Sequence, residues 1–107
     1  MTAPTIPSGF YITAELRARD GVDIDAATQA LLAFRAQTRQ EPGNRIFTLH
    51  QDSAEPARFI FWECFENEAV FQTHCDAPYN AALHALEFFD VVQYFMTDVL
   101  PGQSATD

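Results

Sequence analysis

The stretch Ala57–Phe65 reads ARFIFWECF, and it constrains the fold more than any other part of the chain. Alternate residues of a strand point to opposite faces of the sheet. One face would carry Phe59, Phe61, Glu63 and Phe65, the other Ile60, Trp62 and Cys64. Both are apolar, so both need cover. The helices of a small α+β domain cover one face of its sheet. The other face must be covered from outside, and a second copy of the same sheet is the simplest cover. The expectation is an obligate homodimer, joined through the sheet face. Burying about 400 Å² of apolar surface per subunit would contribute roughly 10 kcal/mol before the costs of association.

The neighbouring patterns supply the rest of the sheet. Phe10–Ala18 alternates Phe10, Ile12, Ala14, Leu16 against Tyr11, Thr13, Glu15, Arg17 and predicts a first strand. Ile24, Ala27, Leu31 and Phe34 recur at helical spacing, with Ala30 beside them, and predict a helix over 25–40. Asp23 or Asp25 would cap it, and Glu41-Pro42-Gly43 would stop it. A strand over Arg45–Asp52 and the short link Ser53–Pro56 predict an antiparallel hairpin with Ala57–Phe65. Asn67 suits the cap of a second helix to about Cys75, and Pro78 opens a third helical segment to about Phe88. A last strand is expected over Asp90–Leu100. The order β–α–β–β–α–(α)–β is the split βαβ, ferredoxin-like arrangement: α+β, with a four-stranded antiparallel sheet. Residues 10–100 read as one domain, 1–9 as a flexible lead-in and 101–107 as a tail.

Charge narrows the function. Fifteen acids oppose six bases, all arginine, for a net charge of −9. A nucleic-acid partner calls for a basic stripe, and an anionic membrane surface calls for clustered basic residues. Neither is present, and no apolar run approaches membrane-spanning length. Without a secretory signal pattern, a cytoplasmic protein is expected. The two cysteines, Cys64 and Cys75, match no zinc-ligand spacing and read as small buried apolar residues. No dinucleotide fingerprint, P-loop or GxSxG motif appears, so neither a metal nor a cofactor is encoded.

A few residues stand apart. Glu63 shares its strand face with three phenylalanines, so its carboxyl is either paired or holds its proton unusually tightly. That environment suits an acid/base group or a substrate anchor, as well as a purely structural hydrogen bond. His74 lies near the end of the second helix and reads as a proton shuttle, a substrate contact or a half-buried structural histidine. His84 and His50 are weaker candidates. Trp62, Phe61 and Tyr11 are candidate walls for a flat aromatic ligand, with Tyr79 as a nearby phenol.

The chain resembles the antibiotic biosynthesis monooxygenase (ABM) domain, including its YgiN-like quinol monooxygenases. The resemblance lies in the Glu41-Pro42-Gly43 turn, in LHQD at Leu49–Asp52, in RFIFWECFEN with Glu63, in Phe71 and His74, and in the aromatic Tyr79 beyond Pro78. It extends over roughly Phe10–Leu100. It implies a dimeric α/β barrel of ferredoxin-like subunits. It also implies, in some members, cofactor-free oxygenation of a phenol, anthrone or quinol by O₂. Glu63 and His74 fall at positions of the family's motif and are the implied base, without a choice between them. Tyr11, Phe61, Trp62, Tyr79 and His84 would then contact the substrate. Phe65 and Tyr79 stand where the motif often has tryptophan and histidine.

Two other readings accompany this one. The first is a dimeric barrel without catalysis, binding a small ligand or serving in stress response. The second is a haem-degrading relative, since His84 falls near the position of a haem-ligating histidine in those enzymes. The strand asparagine of those enzymes is missing from ITAEL.

Overall fold

The computed structural model of the chain describes residues 6–104. Residues 1–5 of the expected lead-in and 105–107 of the expected tail lie outside the described residues. Strands β1 (Phe10–Ala18), β2 (Asn44–Gln51), β3 (Arg58–Phe65) and β4 (Phe89–Thr97) form one antiparallel sheet, ordered β2-β3-β1-β4. Helices α1 (Ile24–Thr38), α2 (Glu68–Cys75) and α3 (Pro78–Ala85) lie between the strands in sequence. The architecture is the expected ferredoxin-like α+β arrangement.

Local chemistry sets the helix ends. The Asp23 side chain accepts from the Asp25 backbone N–H at 3.4 Å and caps α1. Asn67 accepts from the Val70 N–H at 2.9 Å and caps α2, and Pro78 occupies the first turn of α3. The last helix stops at Ala85, short of the expected Phe88. Leu86 closes it, and Glu87 then turns the chain at φ 56°. The last strand ends at Thr97 instead of Leu100. In the β2–β3 link, Asp52 accepts from the N–H groups of Ala54 (2.7 Å) and Glu55 (3.1 Å), which folds the turn.

The core lies between the sheet and the helices. Ala27, Leu31, Phe34 and Thr38 line the buried side of α1, at the spacing of one helical stripe. Against them pack Ile12, Leu16, Phe47, Phe59, Phe61 and Phe65. Gly43 lets two segments meet: a Cβ there would stand 2.3 Å from a methyl carbon of Val70. The turn after α1 is thereby held against α2.

Among the described residues, the other face of the sheet carries no helix. Cys64 on that face is buried beneath the chain at Ser8 and Gly9, whose φ is +151°. The Tyr11 hydroxyl donates to the Pro7 carbonyl, and Arg45 donates to the Ser8 carbonyl. Trp62 remains 36% exposed and Phe95 46%. Both pair with Thr13, from opposite sides, so they share one cross-strand row. Cys75, expected inside, is exposed, because it closes α2 at the molecular surface.

Candidate functional site

The three helices do not cover the whole sheet. Over β1 and β4 they leave a cavity of about 760 Å³. Its floor includes Ile12, Ala14 and Phe61, and Val91, Tyr94 and Met96 of β4 form its outer side. Tyr94 is 61% exposed, so this side opens outward. The register explains the lining. Ile12 pairs with Glu63 and with Met96, and Ala14 with Phe61 and Tyr94, so these side chains share one face. Between Glu15 and Leu16 the pairing slips, and Val92 is the extra residue. The slip keeps Val91, paired with Leu16, on the cavity side.

Glu63 lines this cavity and is only 5% exposed. No protein hydrogen bond reaches its carboxyl among the described residues. Burial pushes its pKa up to about 8, with the nearby Glu41 carboxylate adding to the rise. It is therefore a carboxylic acid at neutral pH, able to donate a hydrogen bond into an apolar space.

His74 lines the same cavity, 3% exposed, and stands among the rings of Phe65 (5.0 Å), Phe34 (5.5 Å) and Phe47 (5.9 Å). Its Nδ1 lies 3.0 Å from Glu41 Oε2 and 3.3 Å from the Tyr79 hydroxyl. Tyr79 donates to the same Glu41 oxygen, and Thr38 Oγ1 lies 3.1 Å from that hydroxyl. A carboxylate at Nδ1 accepts a hydrogen bond from Nδ1–H, which keeps the proton on that nitrogen and leaves Nε2 as the basic position of the ring. The group is thus a Glu41–His74 pair steadied by Tyr79.

The expected site residues on strands divide by parity, and those on helices by where α2 and α3 dock. Glu63, His74 and Phe61 come together in the cavity, and the exposed His84 stands at its rim. Tyr79 acts from behind, through Glu41. Tyr11 and Trp62, expected to contact the substrate, do not line this cavity. Each is one residue out of phase with the cavity-facing Ile12 and Phe61, so each points from the open face. Their rings lie 5.6 Å apart there, and burial pushes the Tyr11 phenol up to about 12. His50 is exposed on β2, bonded to Thr48 at 2.9 Å. Glu41 escapes the sequence reading, in which it serves only to end α1. The Glu-Pro-Gly turn marks its place but not its partner, which is 33 residues away. Among the described residues, no three His, Cys, Asp or Glu side chains gather in a metal-holding group. Among the described residues, no helix is long and apolar enough to cross a membrane.

A family model described as antibiotic biosynthesis monooxygenase matches residues 9–86. Among solved structures, one described as an antibiotic biosynthesis monooxygenase is 23% identical, with a TM-score of 0.78. The match covers 86% of this chain and 99% of that one. A Pseudomonas aeruginosa protein matches at 21% identity and a TM-score of 0.78, over 88% of this chain and 96% of its own. A Shewanella oneidensis protein matches at 21% identity and 0.72, over 90% and 98%. At such identities these structures speak to the fold alone. No curated protein matches the chain.

Proposed function

Because the chain belongs to the antibiotic biosynthesis monooxygenase family, we propose that it oxidises a small hydroxylated aromatic, anthrone or quinol with O₂, without a cofactor. One observation carries this reading. A buried carboxyl with no protein partner faces an apolar cavity that also holds a carboxylate-bound imidazole.

The chemistry follows from the protonation states. His74 Nε2 takes the proton from the substrate's acidic C–H or O–H group. Protonated Glu63 donates to the substrate oxygen on which negative charge develops. The electron-rich anion reduces O₂, and a hydroperoxide forms on carbon. Loss of water leaves a carbonyl, so an anthrone CH₂ becomes the C=O of a quinone. With an anthrone, one oxygen atom enters the product and the other enters water; a quinol going to its quinone gives O₂ two electrons and two protons, which leave as H₂O₂. The substrate supplies every electron, so no external reductant is consumed.

The test is oxygen uptake by metal-free protein with anthrones and quinols, after subtraction of autoxidation. Saturable uptake with quinone product is expected, and its rate should fall as pH rises past about 8, where Glu63 ionises. A rate that instead climbs through that pH would make the Glu63 carboxylate the base. Uptake equal to the blank across the panel would favour a ligand-binding barrel without turnover.

The working unit in this reading is a homodimer closed through the open sheet face. The exposed Trp62 and Phe95 on that face support it. At the other end of the face, Arg58 bridges Glu15 (2.7 Å) and Asp52 (3.1 Å), which supplies a polar border. Sedimentation at micromolar concentration should give twice the 12.0 kDa chain mass. Trp62→Glu should shift the protein toward the monomer, and a monomeric parent chain would sink the proposal.

A further inference from the structure

The cavity wall has a one-sided charge. Glu68 and Asp76 supply it from the rim at α2, and Glu63 in the floor adds a carboxyl that is uncharged at neutral pH. No arginine lines it, and the chain has no lysine. Each arginine is engaged elsewhere. Arg17 meets Glu55 at 3.1 Å and Arg19 meets Asp90 at 3.0 Å. Arg58 bridges Glu15 and Asp52. Arg35 donates to the Phe47 carbonyl at 2.6 Å, Arg39 to Asn44 Oδ1 at 2.6 Å, and Arg45 to the Ser8 carbonyl.

Two histidines and one helix end could oppose that sign. His74 has Glu41 on its Nδ1, so any charge it gains is already matched. His84 is the one basic side chain at the rim, exposed as Glu68 and Asp76 are, and it stands alone against their two carboxylates. The N-terminal end of α3 is directly preceded by Asp76. An incoming anion would therefore leave water for an apolar space where the protonated Glu63 offers one hydrogen bond but no cation matches its charge. A neutral or cationic hydrogen-bond donor finds carboxyl oxygens instead.

From this lining we infer that the cavity selects its occupant by charge. It takes an apolar ring system whose polar group is a neutral or cationic hydrogen-bond donor, and it rejects the same ring bearing a carboxylate or phosphate. This names the substrate class more narrowly. It rests on the cavity being the substrate site and not on the occurrence of oxygenation.

The test uses three ligands on one ring: naphthalenemethanol, naphthylmethylamine and naphthoate, titrated calorimetrically into the full chain at about pH 7, where Glu63 is protonated. The alcohol and amine should bind, with the naphthoate weaker by at least about ten-fold. That gap should narrow in the Glu68→Gln/Asp76→Asn double variant, whose two sites are exposed. It should also narrow in the parent protein on raising salt to about 0.5 M. Naphthoate binding as tightly as the alcohol overturns the inference. So does a gap insensitive to both salt and the double substitution, or failure of all three ligands to bind. Because no turnover is needed, charge selection without oxygen uptake would fault only the oxygenase reading. Oxygen uptake without charge selection would fault only this inference.

Discussion

Glu63→Gln should become progressively more stable than the parent protein as pH rises from about 5 to 9, by roughly 5 kcal/mol at the upper end. The folded protein holds the Glu63 proton up to about pH 8, because burial and the nearby Glu41 carboxylate oppose ionisation. The unfolded chain releases that proton near the ordinary value of 4.5. Below 4.5 both states are protonated, and this group adds no pH dependence. Between 4.5 and 8 only the unfolded state ionises, so rising pH drains stability from the fold. Above 8 both states are ionised and the loss is complete. Glutamine has the same shape and no proton to lose, so it escapes this loss. The other titrating groups are common to the two proteins and, apart from Glu41 and Cys75, which feel the Glu63 charge, cancel in the difference. Urea melts of both, at fixed protein concentration and at pH 5, 7 and 9, supply the comparison. Parallel stability profiles would mean that Glu63 finds a partner or solvent in solution.

The second large effect concerns the imidazole. His74→Ala should lower the oxygen-uptake rate by about 10²–10⁴-fold, the usual contribution of a positioned base. Glu41→Gln should lower kcat by about ten-fold or more with little change in KM, since Glu41 orients the base and need not touch substrate. An amide still accepts from Tyr79 but no longer prefers the proton on Nδ1, so the ring spends less time with a basic Nε2. Glu41→Asp, which keeps the charge, should recover part of the rate. If Glu41 only braces α1 against α2, Glu41→Gln will lower the melting temperature and leave kcat unchanged.

Strand pattern and helix caps were readable because they depend on near neighbours. The alternation in Phe10–Ala18 gives β1 to the residue, and Asn67 caps α2 as its side-chain chemistry directs. Parity already held the information that Trp62 and Phe61 cannot share a wall. Grouping them by aromatic character overrode it. Glu41 was out of reach for a different reason. Its roles come from His74 and Tyr79, 33 and 38 residues away, and depend on how α1 docks on α2 and α3. The cavity was equally hidden, since it exists where three short helices leave β4 uncovered, and no single segment encodes that shortfall. Cys75 shows the same limit: its type favours burial, but its place at a helix end exposes it.

Strand β4 lies at the sheet edge, and Val92, Tyr94, Phe95 and Met96 are all exposed along it. Its unpaired backbone edge presents a ready template for stray extended segments. Asp90 near its start and Asp98 just past its end flank the apolar stretch as gatekeepers, and the net charge of −9 keeps like chains apart at long range. Handling follows from this: concentrated, acidified stocks that neutralise those carboxylates should be the first to precipitate.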